Sequence, residues 1–354
     1  MNRFRFFILA LALLLASCVS TPQKFESLHR YEYEQPQMGV PFHIILYAPS
    51  EAVAESAARG AFERVAGLNA IMSDYETDSE LSKLSRSSEE GAPEVLVSED
   101  LWNVLWLSQR LARETVGAFD ITIGPCASLW RKARREQSFP DAERLENARK
   151  KVGYENLVLN ESKRTARLLK FGMRLDLGGI AKGYAADEAL KILRRHGITR
   201  ALVAASGDLA LGDPPPGDAG WRVKIIGYDE VGGPPSEIAI LANCGVSTSG
   251  DSSQRLEVNG VRYSHILNPA TCVGMTNHAL ATVIAKDCTT SDSLETPMTI
   301  LEPAEGLRLA AKYDAAARIV QLEGDEPVAR QNERFTKRTA NKPDATRSKT
   351  EIQQ

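Results

Sequence analysis

The chain has 354 residues, 43% hydrophobic and 25% charged, a globular composition that excludes disorder throughout and a polytopic membrane protein. Its 43 basic and 46 acidic side chains leave a net charge of −3, so no bulk field draws it to nucleic acid. Five cysteines are too few for a disulfide-dense scaffold.

The chain begins with a short basic segment, Met1-Asn2-Arg3-Phe4-Arg5, followed by an apolar run over 6–16. The run falls short of the roughly 20 residues that span a bilayer and reads as a signal peptide over 1–17. It ends in Leu15-Ala16-Ser17-Cys18, which resembles a bacterial lipobox. That resemblance implies cleavage before Cys18, lipidation of its thiol and a periplasm-facing lipoprotein. Ser20, rather than an early Asp, favours the outer membrane over the inner. Residues 18–37 are polar and read as a lipid-anchored tether.

The Ala-rich segment Glu51–Met72 carries Phe62, Val65, Leu68 and Met72 at helical spacing, which predicts an amphipathic helix. Ser98 caps a second predicted helix with Leu101, Val104, Leu105 and Leu111 on one face. Residues 117–125 read as a Gly-bounded strand. Residues 183–196 predict a third helix, with Gly197 in the left-handed position after it. Apolar or alternating runs at 201–205, 221–226, 238–241 and 280–285 predict strands. Asn259-Gly260 marks a two-residue hairpin within 256–263. No βαβ rhythm is visible, so the predicted class is α+β and not a doubly wound Rossmann sheet. Apolar content collapses from about Asp325, and 325–354 reads as a polar, disordered tail.

Three segments carry candidate chemistry. Glycines at 178, 179 and 183 open the third helix beside Lys182; backbone N–H groups at such an end favour phosphate. Asp292 and Thr296 stand at i and i+4, two oxygen donors on one helical face that suit a hard cation such as Mg²⁺. His265 follows the predicted hairpin and offers proton transfer near neutral pH. The cysteines Cys126, Cys244, Cys272 and Cys288 show no C-x-x-C or zinc spacing. Both a bridge among them and four separate thiols stay open.

Taken in order, several segments resemble the ApbE-like FAD:protein FMN transferases. They are Met38-Gly39, Met72-Ser73-Asp74-Tyr75, Asp78-Ser79-Glu80-Leu81, the 117–125 segment and Asp176-Leu177-Gly178-Gly179-Ile180-Ala181-Lys182-Gly183-Tyr184. Ser206-Gly207-Asp208, Ser247-Thr248-Ser249-Gly250-Asp251, 265–271 and 292–296 complete the series. The resemblance implies a flavin transferase domain over 38–324. Its reaction would be Mg²⁺-dependent transfer of FMN from FAD to a Thr or Ser hydroxyl of a target protein, through a phosphoester, with release of AMP. It implies FAD contacts at Met38, Tyr75, Ala118, Phe119, Asp120, Gly178, Tyr184 and Ile266. It implies Mg²⁺ ligands at the Ala181 carbonyl, Asp292 and Thr296, and His265 as the residue that activates the acceptor hydroxyl. The partners implied are FAD, an acceptor protein and the membrane through the lipid anchor, with no nucleic acid.

Four places depart from the family pattern. Val40 replaces Thr, Asn268 replaces Asp, and Cys272 replaces Gly. The run Ala-Asp-Ala-x-Ala-Thr appears as Ser291-Asp292-Ser293-Leu294-Glu295-Thr296. The altered loop beside His265 keeps a Mg²⁺-dependent FAD pyrophosphatase giving FMN and AMP in view; a non-catalytic flavin-binding lipoprotein is a second rival, against which the retained Asp292, Thr296 and His265 argue.

Overall fold

The computed structural model describes residues 27–227, 236–250, 255–324 and 326–340, and the backbone of 352–353. Cys18 and residues 18–26 of the expected tether lie outside them. Among the described residues, no helix is long and apolar enough to cross a membrane.

Eight strands build the central sheet: β1 (His29–Gln37), β2 (Val40–Ala48), β3 (Ala201–Ala205), β4 (Asp208–Leu211), β5 (Cys244–Gly250), β6 (Leu280–Ala285), β7 (Ala316–Glu323) and β8 (Glu326–Gln331). They lie side by side in chain order, and every pair is antiparallel. This is the expected α+β class and not a Rossmann sheet, which needs parallel crossovers. The helices are α1 (Glu51–Met72), α2 (Glu80–Ser87), α3 (Glu99–Glu114), α4 (Gly124–Glu136) and α5 (Ala142–Arg149). After them come α6 (Ala181–Arg195), α7 (Cys288–Met298), α8 (Pro303–Lys312) and α9 (Glu333–Thr339).

The period of two along β2 divides the interior. Phe42, Ile44 and Leu46 face a core shared with α1 and α6, where Ala57, Ala61, Ala185 and Ala189 let the helices pack closely. Ile45 points the other way, into a second core closed by the strands Trp221–Ile225 and Glu237–Leu241. The predicted helices and the hairpin are present. Ser98 Oγ accepts from the Leu101 amide at 3.3 Å, and Asn259 and Gly260 have φ of 52° and 76°, the left-handed pair this turn requires.

Three expectations need correction. Residues 29–37 are not tether: β1 pairs along its whole length with β2 and lays Tyr31 and Tyr33 on the first core. Residues 117–125 are not a strand. Residues 117–123 turn, with a single bridge from Ile123 to Arg174, because the Asp120 carboxylate folds back to accept from the Thr122 amide at 2.8 Å, and Gly124 and Pro125 open α4. The expected tail is ordered over 326–340: β8 extends the sheet, and Phe335 of α9 is fully buried in the second core. One large apolar side chain at the right helical phase anchors a segment that is otherwise polar.

Candidate functional site

The site is a cleft of about 950 Å³ at the edge of the first core. Met38 reaches it from the two-residue turn between β1 and β2, at φ 51°. Tyr75, Ala118, Phe119, Asp120, Gly178, Ala181, His265, Ile266 and Thr296 also line it. Segments from six parts of the chain thus share one wall, as the sequence motifs imply.

Close approach at glycine assembles this wall. A Cβ on Gly179 would stand 3.1 Å from Thr296 Oγ1 and 3.4 Å from Phe119 Cε2. A Cβ on Gly183 would meet Asp292 Cβ at 2.7 Å and collide with the Cys288 carbonyl. Glycine there lets α6 lie against α7, and its amide donates to Asp292 Oδ2 at 2.8 Å. Gly183→Ala is therefore expected to cost about 1–3 kcal/mol, as overpacking does. Chemical denaturation checks this, and an unchanged midpoint would contradict the close packing.

Two of the expected contacts sit differently. Tyr184 is buried on the side of α6 away from the cleft, and its hydroxyl donates to Asp100 at 2.9 Å. Asp100 also binds Arg64 at 2.7 Å, so this face of α6 ties helices together. Asp120 reaches the cleft wall, yet its oxygens already accept from the Thr122 amide and hydroxyl and from the Tyr154 amide at 2.9 Å. Its carboxylate holds the loop that carries Phe119. Burial raises its pKa despite these bonds.

Behind the wall is a cluster of acids. Ligand oxygens of Asp208, Asp292 and Glu295 all lie within 4.8 Å of one another. Asp208 follows the Ser206-Gly207 turn between β3 and β4. Asp292 is fully buried on α7, which is fixed to β5 by the hydroxyl pair Ser247 and Ser291 at 2.9 Å. The Lys182 ammonium binds Asp208 and stands 3.7 Å from Asp292 Oδ1. Burial, reinforced by the charge of Asp208, pushes the Asp292 carboxyl up to about 7 against the pull of Lys182. Burial works against the Lys182 charge, but the surrounding carboxylates hold its pKa above the ordinary value. Asp208 Oδ1, Asp292 Oδ1 and Glu295 Oε2 are buried without a hydrogen-bond partner. Orphaned anionic oxygens of this kind are costly unless a cation meets them, and hard cations take oxygen ligands. The residues fit a divalent metal ion.

The His265 side of the cleft is a pinned loop. His265 directly follows the strand Val261–Ser264, half-buried at the cleft edge. Beyond it Cys272 is bonded to Cys126 of α4, which settles the pairing left open above; Cys244 and Cys288 are free and buried. Cys272 has φ 61°, a left-handed conformation that explains glycine in the family pattern. The Trp130 indole donates to its carbonyl at 2.7 Å. Replacing both bridged cysteines by Ser is expected to lower stability by about 2–4 kcal/mol, since the crosslink limits the unfolded chain. Denaturant titration of the double variant checks this; equal midpoints would contradict a structural role.

Sequence reasoning missed Arg131. It pairs with Asp74, bonds Asp176 Oδ2 at 2.6 Å and lies 4.3 Å over the Tyr75 ring. Asp176 Oδ1 in turn accepts from the Gly178 amide at 2.8 Å. One guanidinium thus joins two matched segments. A basic helix gave no signal of this, because both partners are distant in sequence. Lys182 was noticed only as a cation near the helix end, and Asp208 only as part of a motif.

The family model described as "ApbE family" matches residues 38–319. The FAD:protein FMN transferase of Haemophilus influenzae is 30% identical over 281 residues, covering 78% of this chain and 81% of that one. The enzyme of the same name from Vibrio cholerae is 30% identical over 308 residues, covering 85% and 89%. Among solved structures, the flavin transferase ApbE from Vibrio cholerae is similar with a TM-score of 0.78 at 27% identity, covering 88% of this chain and 99% of that chain. The ApbE protein of Thermotoga maritima gives 0.76 at 28% identity, covering 88% and 99%.

Proposed function

The chain belongs to the ApbE family, and from that premise we propose that it transfers FMN from FAD to a Thr or Ser hydroxyl of a target protein and releases AMP. The observation that carries this reading is the shared cleft. Gly178 and Ala181 at the N-terminal end of α6, His265, and Asp208, Glu295 and Thr296 line it together, with the fully buried Asp292 directly behind.

FAD lies with its adenosine end near Tyr75, Ala118 and Phe119, and with its pyrophosphate at Gly178–Gly179. The Gly178–Gly179 backbone stands at the positive N-terminal end of α6, which attracts phosphate, while the Gly178, Ala181 and Gly183 amides donate to Asp176 Oδ1, the Leu177 carbonyl and Asp292 Oδ2. Gly178 is exposed, so backbone is open to approach there. Asp292 and Thr296, with the Ala181 carbonyl, would hold Mg²⁺. When bound, the metal supplies the charge neutralisation that phosphoryl transfer needs. His265 accepts the proton of the acceptor hydroxyl as its oxygen bonds to the FMN phosphorus. The bond from that phosphorus to the bridging oxygen breaks, and AMP leaves with the oxygen. The disulfide holds the loop beyond His265, so the base and the acceptor keep a fixed approach.

The protein is anchored at Cys18, facing the periplasm, with the outer membrane favoured. The support is the lipobox-like end of the apolar run. Intact mass of membrane-extracted protein is expected to show a lipid-bearing chain starting at Cys18; an unmodified Cys18 would contradict the anchor.

Incubation with FAD, Mg²⁺ and an acceptor domain tests the activity. AMP release that depends on the acceptor supports transfer. Equal AMP release without acceptor identifies a pyrophosphatase, and no release identifies a binder.

A further inference from the structure

The acid cluster contains one carboxylate that the family pattern does not call for. Where that pattern has Ala before the metal-binding Thr, this chain has Glu295. The side chain is only 5% exposed and borders the cleft. It lies three residues after Asp292 on α7, hence on the same helical face. Its carboxylate converges on those of Asp208 and Asp292, with ligand oxygens all within 4.8 Å. Its Oε2 is buried and accepts no hydrogen bond.

A buried acid in this position needs a partner. Lys182 does not provide it: the ammonium is bonded to Asp208 and near Asp292, and among the described residues no ion pair joins it to Glu295. When the three acids bind a metal as carboxylates, one ammonium and one divalent cation balance their charge. Each of the three acids has a buried oxygen without a hydrogen bond, and their ligand oxygens lie within 4.8 Å of one another, a donor set that suits a hard cation.

We propose that Glu295 is a metal ligand additional to those of the family pattern, so that Asp208, Asp292 and Glu295 together seat the divalent cation before FAD arrives. The inference rests on the metal-binding reading given under Proposed function. A third carboxylate makes the seat complete enough to bind metal without the phosphates of the substrate.

The test is titration of Mg²⁺ and Mn²⁺ into the mature, FAD-free protein, read by calorimetry and by thermal midpoint. Four proteins are compared: the parent, Glu295→Gln, Glu295→Ala and Asp292→Ala. The parent is expected to bind metal and to melt higher with it. Both Glu295 variants are expected to lose about tenfold or more in metal affinity, at least the loss seen when a supporting group is removed from a metal site. Glu295→Ala restores the residue of the family pattern, and Glu295→Gln keeps the volume, so folding does not obscure the result. Unchanged affinity in both Glu295 variants, with binding lost in Asp292→Ala, would overturn the proposal and leave the metal reading intact. No metal binding by the parent until FAD is added would also overturn it. Binding unaffected by Asp292→Ala would remove the metal reading itself. A Glu295 variant that melts lower yet binds metal as the parent does would show a packing role only, against the proposal.

Discussion

Replacing Asp292 by Ala is expected to reduce FMN transfer and any FAD hydrolysis together to the background rate. Both reactions break the same pyrophosphate, and both need positive charge beside the departing AMP. Asp292 is the fully buried member of the acid cluster, with one oxygen on the Gly183 amide and the other unpartnered. The expected loss is therefore of charge placement as well as of a ligand. Asp292→Asn separates these effects, because it keeps the shape between α6 and α7. Its thermal midpoint should stay near that of the parent while Mg²⁺ dependence disappears. An Asp292→Ala protein that folds and still turns over FAD with Mg²⁺ would contradict the site.

His265→Ala should divide the activities instead. Transfer to the acceptor is expected to fall by roughly 10²–10⁴-fold, the usual range for a general base, while FAD affinity stays close to that of the parent. The loop beyond His265 also has contacts that do not involve its ring. The Ser264 amide donates to the Met275 carbonyl at 2.8 Å, the Met275 amide donates to the Ile266 carbonyl at 2.9 Å, and Cys272 is bridged to Cys126. A packing role would lower stability and affect FAD binding and transfer alike. Thermal midpoint, FAD affinity and transfer rate measured on one preparation tell the two apart. An unchanged transfer rate in a folded variant would remove His265 from the reaction.

What was legible in the sequence was local. Glu51–Met72 announces itself by its apolar stripe, and Asn259-Gly260 by turn chemistry, and both are present as read. Residues at the start of α6 and on α7 were legible as oxygen and amide donors because their spacing carries the argument. What was hidden depends on long-range contact. The alternation Tyr31, Glu32, Tyr33, Glu34 was available, but only pairing with β2 makes it a strand. Asp120 lines the cleft, but that the amide of Tyr154, 34 residues later in the chain, also holds its carboxylate was not legible. The acids of the cluster come from β4 and α7, 84 residues apart between Asp208 and Asp292, and no periodicity links them. Phe335 was hidden by its polar neighbours, though a single buried aromatic side chain is enough to dock a short helix.

The central claim is that a protein hydroxyl receives FMN from FAD in this cleft. The direct measurement is the intact mass of an acceptor domain, followed by fragment mapping, after incubation with the protein, FAD and Mg²⁺. The account predicts an acceptor heavier by FMN less one water, with the addition on a single Thr or Ser and one AMP released per adduct. An acceptor of unchanged mass, with FAD either intact or converted to free FMN and AMP, would contradict it.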